Sequence, residues 1–149
     1  MKIALKYGLL VTAGVFAWVV VAQWLEPNPA ARIHSIGAGI FFNVLEIIAI
    51  ALGIKARQRE AGILSFKGGV KTGVSIAFVY GASAALFFLL QLLIIGPQIL
   101  GVHSPDEPTM RVALQAFAGL FIGAVLMGLV YSTIISFIVV GKQRGRRYD

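Results

Sequence analysis

The stretch that decides the fold is SIGAGIFFNVLEIIAIALGI, residues 35–54, which has twenty residues and a single charged side chain, Glu46. In a helix, about 20 apolar residues cross roughly 30 Å of hydrocarbon, at about 1.5 Å per residue. A helix also satisfies its own backbone hydrogen bonds, which lipid cannot satisfy. The stretch therefore predicts a transmembrane helix with one acid near its middle.

Three further apolar runs flank this stretch, at residues 7–25, 74–95 and 112–140, and none contains a charged residue. Ser65 can cap a third helix that begins at Phe66, and Pro108 suits the first turn of a fourth. The sequence therefore predicts an all-α fold, an integral membrane bundle of four antiparallel transmembrane helices. We place the helices at about 7–25, 35–54, 66–95 and 108–140, in one domain spanning 1–149, with a basic loop at 55–65 and a basic tail at 141–149.

The composition and the placement of charge agree with a membrane location. Hydrophobic residues make up 58% of the chain and charged residues 13%, about half the charged share of a typical soluble domain. Eleven of the thirteen basic residues lie before the first helix, between the second and third, or after the fourth. Because such residues stay on the cytoplasmic side, both termini and the middle loop are predicted to be cytoplasmic. The net charge of +7 thus indicates a membrane surface, not nucleic acid.

Basic side chains at this surface are predicted to contact anionic lipid headgroups, at about 1 kcal/mol per residue. They are Lys55, Arg57, Arg59, Lys67, Lys71, Lys142, Arg144, Arg146 and Arg147. Binding of a soluble phosphate ligand is the less favoured alternative, because the order GxxxxGK[ST] is absent from the middle loop.

Small and polar residues share one face of the second helix. They recur at steps of three and four and are Gly39, Asn43, Glu46, Ala49 and Gly53. Small residues allow close helix approach in lipid, and polar residues bond to a neighbouring helix. We therefore expect the second helix to lie in the middle of the bundle. A charge at the bilayer centre is costly, so Glu46 is expected to be neutral or partnered, with Asn43 and Ser83 as candidate partners in an intramembrane polar seam.

Glycines in all but the first helix are predicted to mediate helix packing: Gly39, Gly53, Gly81, Gly119 and Gly123. Gly119 and Gly123 form a GxxxG pair, whose partner is the second helix, the third helix or another chain. Ser132 and Ser136 are expected to bond back to their own helix, and Tyr131 to lie in a cytoplasmic aromatic belt.

The sequence predicts no metal site, no cofactor and no enzyme. There is no cysteine, and the two histidines, His34 and His103, lie in the outer loops without a third ligand in view. No nucleophile–base pair and no cofactor-binding motif is present, so a catalytic site has the least support.

Two stretches carry a family resemblance: LGIKARQREAGILSFKGGVKTGVSIAFVYG, residues 52–81, and QAFAGLFIGAVLMGLVYSTIISFIVV, residues 115–140. They resemble a family of short bacterial four-helix membrane proteins, the domain-of-unknown-function family numbered 4199. The matching positions in the first stretch are Gly62, Ser65, Phe66, Lys71, Thr72 and Gly73. The resemblance implies a bacterial inner-membrane location and supplies no activity, substrate or catalytic residue.

Two functions remain open at this level. The first is a non-enzymatic structural or accessory role in a membrane assembly, as a homo-oligomer or in a larger complex, with Glu46 pinning the bundle or docking a partner. The second is proton- or cation-coupled transport through Glu46, which a single acid and the lack of a clear inverted repeat make less favoured. In the structural case, Glu46→Leu should cost more stability than Glu46→Gln, because Asn43 would lose a partner.

Overall fold

The computed structural model describes residues 1–25, 36–95 and 109–145, which form four α-helices. Helix α1 is Lys2–Leu25, α2 is Ile36–Ala61, α3 is Phe66–Ile95 and α4 is Thr109–Gly145. Each helix is long and apolar enough to cross a membrane. The prediction of an all-helical fold with four candidate spans is therefore confirmed.

The helices extend further into the charged segments than the apolar runs predict. Helix α2 continues to Ala61, so most of the predicted basic loop 55–65 is helical and only residues 62–65 form a turn. Likewise, α1 begins at Lys2 and α4 continues to Gly145. Lysine and arginine are good helix formers, so hydropathy marks the edge of the apolar run and not the end of the helix.

Helices α2 and α3 form the centre of the bundle. Each contacts the other three helices, whereas α1 and α4 do not contact each other within the described residues. The prediction that the second helix lies in the middle is confirmed, and α3 shares that position. The side chains of Ile50, Ile54 and Ile76 are fully buried between them, and Val11 and Val15 of α1 complete this core.

Helices α3 and α4 make the most extensive contact, through small residues at every fourth position. The facing pairs are Gly69 with Ser136, Gly73 with Ser132, Ala77 with Gly128, and Gly81 with Ala124. We call these four pairs the small-residue seam. A Cβ atom added at Gly73 or Gly128 would overlap the facing residue, and one at Gly81 would lie 3.1 Å from the Cβ of Ala124. The two backbones thus approach closely enough for van der Waals packing, which drives helix association in lipid.

Of the five glycines predicted to mediate packing, two do so within the chain. Gly53 packs on Ile76, and Gly81 belongs to the small-residue seam. Gly39, Gly119 and Gly123 are exposed, and a Cβ added at any of them would have no neighbouring atom within 4 Å. Among the described residues, the prediction that these three glycines pack inside the bundle is therefore wrong. For the GxxxG pair, the alternative of another chain remains.

The turn between α2 and α3 is held against the end of α4. Gly62 has a φ of 70°, a conformation that strains residues with a side chain. The Gly68 N–H donates to Ser65 Oγ at 3.1 Å, so the cap predicted at Ser65 is confirmed. The side chain of Leu64 is buried, and the Leu64 N–H donates to Oε1 of Gln143 in α4 at 3.3 Å.

One end of the bundle carries the basic residues predicted to contact lipid. The start of α1 meets the end of α2 there, where Tyr7 lies beside Gly53, and the turn at Leu64 meets α4 at Gln143. The side chains of Lys55, Arg57, Arg59, Lys67, Lys71 and Lys142 are exposed. The side chain of Arg144 and the residues Arg146 and Arg147 lie outside the described part of the chain.

Candidate functional site

Glu46 is buried where α2, α3 and α4 meet, with 4% of its surface exposed. Helix α4 presents Gly128 to it, and a Cβ atom at Gly128 would lie 3.0 Å from Glu46 Oε1. The missing side chain at Gly128 therefore provides the space that the carboxyl group occupies. Tyr80 of α3 and Tyr131 of α4 are its ionisable neighbours, close enough for a charge on Glu46 to act on both phenols.

Oε1 of Glu46 is buried and has no hydrogen-bond partner among the described residues. The predicted partner on the same helix, Asn43, bonds elsewhere. Its amide Nδ2 donates to the carbonyl of Gly39 at 2.8 Å, and its Oδ1 accepts from the hydroxyl of Tyr131 at 2.6 Å. Asn43 lies one turn from Glu46 on the same face, but its hydrogen bonds connect it to the backbone and to α4.

The predicted partner on the third helix, Ser83, also bonds elsewhere. Its hydroxyl lies 2.6 Å from Thr12 Oγ1 of α1 and 2.7 Å from the carbonyl of Val79. The predicted seam of Asn43, Glu46 and Ser83 is therefore divided, because Ser83 connects α3 to α1 and Asn43 connects α2 to α4. The reason is helix rotation: Ser83 lies on the α1 side of α3, whereas Tyr80 lies on the side of Glu46.

The face of α2 that carries Glu46 changes along its length. Ala49 and Gly53 are buried, Glu46 is buried, Asn43 is partly buried and Gly39 is exposed. We predicted that this face is small at its ends and polar in its middle. Other helices cover it only from Asn43 to Gly53. Glu46 lies within the covered part, so its carboxyl group faces the chain's own helices. It is not on a surface that a second protein could reach.

Sequence reasoning did not identify the residues that surround Glu46. Tyr131, predicted to be a belt residue, instead bonds to Asn43 inside the bundle. Gly128 follows Ala124 by four and precedes Ser132 by four, so the period of the small-residue seam is a signal that could have found it. Ser132 bonds back to the carbonyl of Leu129 at 3.1 Å as predicted, whereas Ser136 Oγ is buried without a partner in the described residues, so the prediction is wrong for Ser136.

The described residues contain no group of three or more His, Cys, Asp or Glu side chains that could hold a metal ion. The predicted histidine positions, His34 and His103, lie outside those residues. What the arrangement offers chemically is a lone carboxyl group in a largely apolar setting, with two phenols and one amide as its polar neighbours. Such a group can gain or lose a proton, and no second acid lies beside it in the part of the chain that the structure describes.

Comparison with known proteins adds no assignment: no family model, no curated protein and no solved structure matches this chain. The resemblance to family 4199 remains a prediction.

Proposed function

We propose that this multi-pass membrane protein is a non-enzymatic component of an assembly in the bacterial inner membrane. The observation that carries the proposal is the outer face of α4. Gly119 and Gly123 lie there in an apolar helix, exposed and without a neighbour from the chain's own helices. A GxxxG pair allows close approach of a second transmembrane helix, and in this chain the described helices leave the pair uncovered.

The low burial of α4 supports the same proposal. In an apolar window of the candidate membrane span of α4, 17% of the residues are buried, compared with 39% in such a window of α3. Helix α4 contacts only α2 and α3 among the described residues, so most of its circumference faces outwards. We assign the contact with an assembly to this face alone. Glu46, which we also considered as a docking residue, is enclosed by α2, α3 and α4.

The proposed orientation places the basic end of the bundle in the cytoplasm. Six basic side chains near the turn between α2 and α3 and near the end of α4 are exposed at that end, where anionic headgroups of the inner leaflet would meet them. This contact positions the bundle in the bilayer and does not depend on a partner protein.

Native mass spectrometry of the protein extracted gently from its own membranes tests the proposal. We expect a defined complex, either with other subunits or as a homo-oligomer, that is lost in Gly119→Leu and Gly123→Leu variants. The same substitution at Met127, an exposed residue of α4 outside the GxxxG pair, is the control and should leave the complex intact. A monomer in the wild type would refute the assembly role.

Coupled transport of a proton or cation is a second candidate, favoured by one specific observation. The Oε1 atom of Glu46 is buried and has no hydrogen-bond partner within residues 1–25, 36–95 and 109–145, which is costly for a purely structural residue. Ionisable groups inside a membrane often mark proton or ion pathways. The test is a flux assay in vesicles: Glu46→Gln should fold normally and abolish a pH-driven flux of the wild type. If wild-type vesicles show no flux above empty vesicles, transport is excluded.

A further inference from the structure

We propose that Glu46 and Tyr131 form a proton-binding site in which the Tyr131 hydroxyl moves from Asn43 to Glu46 when the carboxyl group loses its proton. We assign the arrangement in which Tyr131 bonds to Asn43 to the protonated state of Glu46. This inference deepens the second candidate function without depending on it, because a site can bind a proton without passing it across the membrane.

One oxygen of the Glu46 carboxyl group makes no hydrogen bond within the described residues. Glu46 is 4% exposed, and Oε1 has no partner among the described residues. A carboxylate in this position would need hydrogen-bond donors, because an ionised group without them is far more costly to bury than a neutral one. The arrangement seen is therefore the one that a neutral carboxyl group tolerates.

The phenol of Tyr131 is a hydrogen-bond donor that lies close to the carboxyl group. Gly128 of α4 lies level with Oε1 of Glu46. Tyr131 lies almost one turn beyond Gly128, and its hydroxyl reaches back to Asn43, almost one turn before Glu46 on α2. Helices α2 and α4 run in the same direction, and side chains in a helix point back towards its N-terminus. The side chain of Tyr131 therefore passes the level of the carboxyl group. In the proposed exchange, the phenol turns from Oδ1 of Asn43 towards the carboxyl group.

Asn43 can release the phenol at a small cost in free energy. Its Nδ2 group is already bonded to the carbonyl of Gly39 at 2.8 Å, so the side chain stays anchored when Oδ1 loses Tyr131. Asn43 is only partly buried, which lessens the cost of a free Oδ1. The exchange thus replaces a neutral hydrogen bond by a charge-assisted one, which is about twice as strong.

In the described part of the chain, few other titratable groups lie close to Glu46. From α3 the facing group is Tyr80, and from α4 it is Tyr131. Helix α1 directs Thr12 at Ser83, and its Tyr7 lies beside Gly53 towards the basic end. The basic residues of α2 begin at Lys55, which is exposed. Among the described side chains, no cation therefore competes with the phenols for the carboxylate.

Infrared spectroscopy of the protein in lipid vesicles tests the site directly, with the proton itself as the ligand. The carbonyl band of a protonated carboxylic acid should be present at low pH, absent in Glu46→Gln, and lost from the wild type as pH rises. The absence of any such band dependent on Glu46, or a band that persists unchanged over the whole pH range in which the protein stays folded, would overturn the proposal.

Two variants should shift the band in opposite directions. Tyr131→Phe removes the donor, so the band should persist to a pH about one unit higher. Asn43→Leu removes the competing acceptor and frees Tyr131 for Glu46, so the band should disappear at a lower pH. Tyr7→Phe, which removes a phenol near the basic end, is the control and should change nothing. Shifts of the same sign in both variants would indicate general loosening and refute the exchange, while flux measurements separately decide transport.

Discussion

Glu46 lies in the part of the bundle where polar groups are most expensive, and Oε1 makes no hydrogen bond within the described residues. Leaving a buried polar group unpartnered costs about 1–3 kcal/mol. The neighbouring contact between Tyr131 and Asn43, at 2.6 Å, avoids that cost for Asn43. Within the described residues, no hydrogen bond to Oε1 of Glu46 therefore stabilises the fold.

Replacing Glu46 by leucine should not weaken the fold. The earlier expectation of a larger loss in Glu46→Leu than in Glu46→Gln assumed that Asn43 bonds to Glu46, whereas Asn43 bonds to Tyr131. We now expect Glu46→Leu to match or exceed the wild type in free energy of unfolding, measured by SDS titration in mixed micelles, and Glu46→Gln to stay within about 0.5 kcal/mol of it. A loss of more than about 2 kcal/mol in Glu46→Leu would mean that the carboxyl group has a stabilising partner.

The hydrogen bond between Thr12 and Ser83 ties α1 to α3 and should contribute measurably. Its oxygens are 2.6 Å apart, and both residues are partly buried. Polar contacts between membrane helices are worth about 0.6 kcal/mol on average, so Thr12→Val should lose about that amount in the same unfolding titration. Thr133→Val is the matched control, because Thr133 is exposed and bonds only to the carbonyl of Leu129 in its own helix. Equal losses in the two variants would contradict the role of the interhelical bond.

The partners of Glu46 could not be predicted from the sequence, although Glu46 itself could. Its position is visible because a single acid interrupts an apolar run. The choice between Ser83 and Tyr80 on α3 depends on the rotation of that helix by less than a turn. Both residues lie at similar depth, and only the packed structure decides which of them faces α2.

Among the elements, the α3–α4 pair depends on the small-residue seam. Its four facing pairs leave no room for larger side chains, because a Cβ at Gly73 would overlap Ser132 and lie 3.0 Å from Ile50. Overpacking a tight interface typically costs about 1–3 kcal/mol. Small residues recur at every fourth position in both helices, and this period can be seen in the sequence. The pairing of the two helices along the small-residue seam can be predicted from it once their relative register is known.

Gly73→Ala should therefore destabilise the protein by about 1–3 kcal/mol, measured by SDS titration in mixed micelles. Gly123→Ala makes the same chemical change at an exposed site with no atom within 4 Å, so it should stay within about 0.5 kcal/mol of the wild type in the monomer. If the two variants lost equal stability, the seam would not be the contact that holds α3 and α4 together.

The lengths of the elements were only partly predictable. The apolar cores of all four helices follow from hydropathy, and α3 has its predicted bounds because Ser65 caps it. The end of α2 was missed because its last residues are charged but helical, with Arg57 and Glu60 paired at 3.3 Å. Gly62, with its positive φ, is the residue that ends the helix, and its local signal is weaker than the change in hydropathy at Lys55.

At the scale of the whole molecule, the bundle is asymmetric in charge. Within the described residues, all exposed basic side chains except Arg111 lie at one end, which includes the turn between α2 and α3 and the end of α4. The positive-inside rule predicts that this end faces the cytoplasm. The fold alone does not decide the orientation, because a bundle of apolar helices packs equally well either way up.

The absence of cysteine from the sequence makes the orientation simple to measure. A single cysteine introduced at Lys71, near the basic end, should react with a membrane-impermeant thiol reagent only after the membrane is opened. A cysteine at Met110, exposed at the start of α4, should react in intact cells. The unmodified chain is the control for background labelling, and the reverse pattern would place the basic end outside.

The enclosure of Glu46 by α3 and α4 also affects how the chain is made. A ribosome synthesises α2 before either of the helices that cover the carboxyl group, since both follow it in the chain. The acid must then enter the bilayer while it faces lipid or the insertion machinery, at a cost on the order of 3 kcal/mol for a charged residue at mid-membrane. The carboxyl group therefore gains its protein surroundings only after α3 and α4 have been synthesised.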